Sequence, residues 1–204
     1  MAQPLLCTPG MKHFTLSLFL LVGTLGPRVA LAERIGAGWL HPLAAGERTL
    51  PELEGSHFGA PRSPGRPAEC RGGHCGVDLY AAPGTPVVAV ASGVVTKVVR
   101  GARERGGRYV QIGHERGVLT YYMHLDAVRE DLVVGTTVNA GDCIGTLGST
   151  GVRHASPHLH FAISTGRGDA LRHVNPERYL RTAPVLDPYA IVLAAPVMVA
   201  MAPR

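Results

Sequence analysis

His158 and His160 lie two positions apart in Pro157-His158-Leu159-His160-Phe161-Ala162-Ile163, a segment that otherwise reads as a strand. Successive side chains of a strand point to opposite faces, so both imidazoles share one face. Leu159 and Phe161 make the other face, which has a core to pack against; the histidine face needs a different purpose. Two more places set polar groups in apolar surroundings. In His74-Cys75-Gly76-Val77-Asp78 the even spacing of His74 and Asp78 puts both on one face of an extended chain, and Gly76 between them leaves room for close approach. Tyr121-Tyr122-Met123-His124-Leu125 ends an aromatic strand on a histidine.

A hydrolytic zinc site takes three ligands from His, Asp or Glu and leaves the fourth position for water. His74, Asp78 and either His158 or His160 supply such a set, and the spacing does not choose between the last two. The remaining histidine and His124 then stand beside the metal without ligand duty. Zinc lowers the pKa of its water from roughly 16 to ~7, and a neighbouring imidazole can take the proton or stabilise the oxyanion. A dedicated acid or base of this kind is worth ~10²–10⁴ in rate.

The elements that must carry these residues are short strands. Residues 86–100 read as strand, glycine break, strand; 108–113 and 118–125 read as a hairpin around His114-Glu115-Arg116-Gly117; 137–147 and 158–164 complete the set. No run from 77 to 166 holds a helical period, which predicts an all-β, compact antiparallel domain. The 26 glycines and 16 prolines among 204 residues suit strands joined by tight turns, and 46% hydrophobic with 17% charged residues suits one packed domain with appendages. Residues 33–73, with Pro42, Pro51 and Arg62-Ser63-Pro64-Gly65-Arg66-Pro67, are expected to form an irregular tether or wrapping arm. In the tail at 181–204 the apolar run 189–202 carries Pro196 and is too short to span a membrane; it is expected to pack as a last strand or helix.

The start of the chain has a different character. Lys12 and His13, the apolar run 14–25, Gly26-Pro27 and Ala30-Leu31-Ala32 match a secretory signal, with cleavage expected after Ala32 and Met11 as the true start. The run falls short of the ~20 residues of a membrane span. Export to the periplasm, cell envelope or medium is therefore expected. Without residues 1–32 the chain keeps 18 basic against 15 acidic residues, a mild excess with no Lys/Arg cluster among aromatics, which argues against nucleic acid. Outside that leader stand three cysteines: Cys70 and Cys75 are close enough to pair across a turn, which would leave Cys143 buried and free.

His74-x-x-x-Asp78, Tyr-x-His124-Leu and Ser-Pro-His158-x-His160-Phe, in that order and with Ala-Pro-Gly-Thr-Pro-Val and Gly-Ser-Thr-Gly turns between them, resemble the lysostaphin/LytM-type zinc metallopeptidases over roughly residues 55–178. The resemblance implies a β domain of the duplicated hybrid motif kind, occupying residues 74–180, that cuts peptide bonds in the stems or cross-bridges of peptidoglycan. It implies His74, Asp78 and His160 as ligands of one zinc ion, which makes the choice that spacing leaves open, and His124 and His158 as the catalytic pair. Some relatives have lost ligands and act as non-catalytic activators of other wall hydrolases, the alternative reading; all five positions are filled here. Cys75 departs from the polar residue usual beside the first ligand, and a Cys70–Cys75 bridge would stiffen the loop presenting His74. The charged loop 101–107 is expected to border the substrate groove. His41, His57, His114, His154 and His173 read as structural or exposed, with His57, which precedes the site, the one that could line the groove. The scissile bond and the oligomeric state leave no mark in the sequence.

Overall fold

A computed structural model describes residues 36, 38–62, 68–152 and 155–193. The signal segment expected at 1–32, the end of the tail at 194–204 and His154 lie outside the described residues.

Among the described residues, runs of β-branched and aromatic residues between glycines form nine strands: β1 (Val77–Tyr80), β2 (Pro86–Val88), β3 (Gly93–Val99), β4 (Arg108–Gly113), β5 (Leu119–Val128), β6 (Thr137–Val138), β7 (Cys143–Leu147), β8 (His158–Thr165) and β9 (Arg172–Val174). Two short helices, α1 (Glu177–Leu180) and α2 (Pro188–Leu193), follow. Every pairing is antiparallel, along β1-β8-β5-β4-β3-β6, with β7 between β2 and β5 and β9 on β8. The all-β expectation holds. β9 is the strand that the sequence did not announce.

The ten-residue β5 is the hub: its first half lies between β4 and β8, and its second half turns away to pair with β7. The core lies behind this junction, where Tyr122, Phe161, Leu159, Leu79 and Val77 are fully buried. Removing side chains of that size from water supplies ~1.5–3 kcal/mol each. Gly76 has a specific duty here. A Cβ on it would collide with the Phe161 carbonyl oxygen of β8, so no larger residue lets β1 begin where it does.

The segment before β1 wraps closely around the sheet. Leu43 bridges Val87 and is fully buried, and the His41 and Val88 amides bond to Pro184 and Pro42 carbonyls. Part of the tail closes over it: the Gly46 amide bonds to the Leu186 carbonyl, and Arg48 donates to that of Ala183 at 3.1 Å. No helix among the described residues is long and apolar enough to cross a membrane.

Cys70 and Cys75 form a disulfide. Cys143, expected as a free thiol, is disulfide-bonded as well. That expectation set Cys7 aside with the leader, which left an odd number of cysteines outside it.

Candidate metal centre

Asp78 and His160 are direct cross-strand partners in the β1–β8 ladder, as are Tyr80 and His158. Residues directly opposite in a ladder share a face, so Asp78, Tyr80, His158 and His160 stand together on the face away from Leu79, Leu159 and Phe161. His74 precedes β1 on an irregular segment rather than in a strand. It arrives by other means: its amide bonds to the Ala60 carbonyl, its own carbonyl accepts the Gly59 amide, and the Cys70–Cys75 bridge closes the loop around it. The even-spacing argument therefore pairs His74 with Asp78 correctly, on a backbone that is not the assumed strand.

His124 is brought by a bulge. Val110 pairs with Tyr122 and Arg108 with Leu125, so Tyr109 alone opposes both Met123 and His124. Simple alternation would send His124 to the core face with Tyr122. Instead its φ is 66°, in the left-handed region that non-glycine residues rarely enter, and its amide bonds to the Gly106 carbonyl. The turned backbone aims its ring at the site, 4.9 Å between centroids from His158 and 6.0 Å from His160.

All five residues are buried, 3–9% exposed. His74 Nε2, His160 Nδ1 and Asp78 Oδ1 form a small triangle with sides of 2.9, 2.9 and 3.1 Å. His158 Nε2 stands further out, 3.8 Å from Asp78 Oδ1. Three of the rings are oriented from behind. Nδ1–H donates to the His57 carbonyl from His74 at 3.0 Å, to the Thr150 carbonyl from His124 at 2.8 Å, and to the Ser156 carbonyl from His158 at 2.7 Å. Each of these bonds leaves Nε2 as the lone-pair nitrogen of the neutral ring.

Burial alone would raise the Asp78 carboxyl; the hydrogen bond from His160 and the neighbouring His74 imidazole overcome it and hold the group well below the usual carboxylate range. Burial, followed by the neighbouring His160 and His158 rings, pushes His124 down to about 4. Burial likewise lowers His160, against the pull of Asp78.

A cation fits this donor set. With neutral histidines the triangle holds at most one ring proton, that of His160, among three atoms that otherwise present lone pairs to one another. Ligands ~2.0–2.1 Å from a tetrahedral zinc lie ~3.3 Å apart, a few tenths wider than the triangle. The set of two imidazoles and one carboxylate, with His74 and Asp78 each backed by a further hydrogen bond, is the chemistry zinc selects. Cys70, Cys75 and His173 also cluster, but the two sulfurs are spent on each other.

The description "Peptidase family M23" matches residues 72–176, which is more than half of the chain. The chain belongs to peptidase family M23. Among curated M23-like relatives it is similar to a peptidoglycan DD-endopeptidase, ShyC, of Vibrio cholerae, 42% identical over 88 residues, covering 43% of this chain and 19% of that one. It is also similar to the glycyl-glycine endopeptidase ALE-1 of Staphylococcus capitis, 35% identical over 113 residues, or 55% of this chain and 30% of that one. The chain thus spans less than a third of the length of these relatives. Among solved structures, the catalytic domain of lysostaphin from Staphylococcus simulans aligns with TM-score 0.50 and 31% identity, over 62% of this chain and 90% of that domain.

Several supporting groups escaped the sequence. The His57 carbonyl orients His74, while its ring meets Glu177 at 3.4 Å. Thr150 fixes His124 through its carbonyl, and its hydroxyl accepts from the Arg108 amide and donates to the Leu125 carbonyl. Tyr80 stacks on His158 at 5.3 Å. Backbone carbonyls carry no residue type, so spacing cannot announce them. Within the loop expected to border the groove, Gly106 caps the His124 amide and Gly107 packs on Thr150, where a Cβ would strike the carbonyl that holds His124. His41 bonds to Thr49 and Leu43, and His114 to Ser92 and Thr120, as structural histidines do.

Proposed function

We propose that the chain is an exported zinc-dependent endopeptidase that hydrolyses peptide bonds in the stems or cross-bridges of peptidoglycan. The observation that carries the reading is the convergence of His74 Nε2, His160 Nδ1 and Asp78 Oδ1 within 3.1 Å of one another, beside two further imidazoles with oriented nitrogens. Membership of a peptidase family and similarity to proteins named as peptidoglycan and glycyl-glycine endopeptidases support the substrate class. Export rests on the residue pattern of 11–32. In this reading residues 1–32 are removed, 33–73 form the arm, 74–180 the catalytic domain and 181–204 the tail.

His74, Asp78 and His160 would hold one zinc ion, which supplies Lewis acidity toward a carbonyl oxygen and toward water. His124 and His158 do the proton work at Nε2, because each has its Nδ1–H committed to a backbone carbonyl. One accepts a proton from the attacking water at Nε2 and, as the imidazolium so formed, passes it to the leaving amine, while the other, 4.9 Å away between ring centroids, can relay that proton; burial keeps competing water away from both.

The test measures bound metal in the purified protein together with release of soluble fragments from peptidoglycan, with and without a chelator. One equivalent of zinc and chelator-sensitive release are expected. Zinc without release would replace this reading with the non-catalytic wall module, and absence of zinc would overturn the site itself.

A further inference from the structure

The carboxylate of Asp78 has two oxygens with different duties. Oδ1 faces the histidines, whereas Oδ2 accepts from Arg62 Nη2 at 3.3 Å, with the two side chains only 19% and 13% exposed. Arg62 comes from the wrapping arm, outside the residues matched by the family. We propose that Arg62 is a positioning residue for a divalent cation at this centre: its guanidinium holds Oδ2, so that Asp78 offers the cluster one oxygen in one orientation. This rests on the reading of Asp78 as a ligand.

The backbone that carries Arg62 is built into the site. Pro61 bridges Gly73, and the Gly59–His74 and His74–Ala60 bonds make a short ladder directly beside the first histidine. A Cβ on Gly73 would press on the Gly59 backbone, which shows how closely the two segments run. The Glu177 carboxylate accepts the Phe58 amide at 3.1 Å and ties the same segment to α1. Six residues thus serve two members of the cluster: the His57 carbonyl orients His74, and the Arg62 guanidinium holds Asp78. At its other side the guanidinium rests over Gly55, where a Cβ would come within 3.2 Å of Nη1.

An ion pair this buried must repay the desolvation of both charges, so it is weak evidence of stability. Its effect is on geometry: a hydrogen-bonded partner behind a ligating carboxylate sets the carboxylate's rotation, and losing such a partner typically costs ~10–100-fold in metal affinity. The planar fork of arginine fixes direction as well as charge, which a lysine ammonium does not.

The test titrates zinc into the full chain against a competing chromophoric chelator, comparing wild type with Arg62→Gln, Arg62→Met and Arg62→Lys. Melting curves of the metal-free proteins check folding, and either neutral variant suffices if the other fails to fold. The neutral variants are expected to bind ~10–100-fold more weakly, with Arg62→Lys between them and wild type. Loaded with cobalt(II), the neutral variants are also expected to show a weaker visible band, as Oδ2 enters the coordination sphere. Folded neutral variants with wild-type affinity and an unchanged cobalt spectrum would overturn the proposal. Zinc binding by wild type no tighter than by His160→Ala would overturn the metal centre, and this inference with it.

Discussion

The cluster is assembled from two kinds of backbone. Asp78, His158 and His160 stand on the regular β1–β8 ladder, where pleat and register alone decide which side chains meet. His74 and His124 stand on irregular chain: a disulfide-closed loop and a bulge at φ 66°. The ladder positions its residues through the whole sheet, so many hydrogen bonds and buried apolar side chains share the task. The irregular carriers depend on a few local devices, which can each be removed singly. Damage to the ladder should therefore spread through the sheet, whereas damage to the irregular carriers should stay local, costing metal at His74 and rate at His124.

The largest expected effects test that division. His160→Ala takes a corner from the donor triangle, so we expect loss of zinc by elemental analysis together with loss of peptidoglycan cleavage. His124→Ala leaves all three triangle atoms in place. Zinc content should stay near wild type while turnover falls by ~10²–10⁴. Equal zinc loss in both variants would mean that the bulge carries a ligand. Gly76→Ala probes the ladder directly. Its Cβ would collide with the Phe161 carbonyl, pushing β1 and β8 apart, and overpacking of this kind costs ~1–3 kcal/mol or more. Urea unfolding should show that loss, accompanied by weaker zinc binding; loss of stability with undisturbed zinc would mean that the ladder does not set the site.

The same division explains what the sequence could reveal. Period two in His158-Leu159-His160-Phe161 exposes a polar face against an apolar one, because a regular strand writes its geometry into residue alternation. The strand boundaries around 86–100, 108–125 and 158–164 follow from β-branched runs and glycines for a similar reason. Alternation alone would have sent His124 into the core. The only trace of the bulge is the apolar Leu125 after His124, two consecutive buried positions where a strand allows one. For the ligand left open between His158 and His160, the family pattern and the 2.9 Å and 3.8 Å separations from Asp78 Oδ1 point the same way, whereas spacing could not. Arg62 lies 16 positions before Asp78, in a proline-rich stretch without periodicity, and only the folded arm brings the two together.

Smaller effects sharpen the irregular half. The Cys70–Cys75 bridge closes a loop of few residues, and opening it by Cys70→Ser with Cys75→Ser should cost ~2 kcal/mol on the loop-entropy account. The loss should be local. Amide exchange is expected to quicken around residues 70–75 while β5 and β8 keep their protection. Uniform quickening across the sheet would show that the bridge supports the fold rather than the loop.

The finest distinction concerns the backbone of His124 itself. A residue held at φ 66° is strained unless it is glycine or, to a smaller extent, asparagine or aspartate. Substituting a β-branched residue adds a steric cost that asparagine does not carry, of ~1–2 kcal/mol. His124→Val and His124→Asn both remove the imidazole, so both should lose turnover alike. Their stabilities should differ, with the valine variant ~1–2 kcal/mol below the asparagine one in urea unfolding. The comparison isolates backbone from chemistry because neither variant keeps the bond to the Thr150 carbonyl through a ring nitrogen. Equal stabilities would mean that β5 relaxes to ordinary alternation once the ring is gone. In that case the His124–Thr150 hydrogen bond maintains the bulge; a persistent gap would mean that the backbone, held by the Gly106 carbonyl, presents the ring.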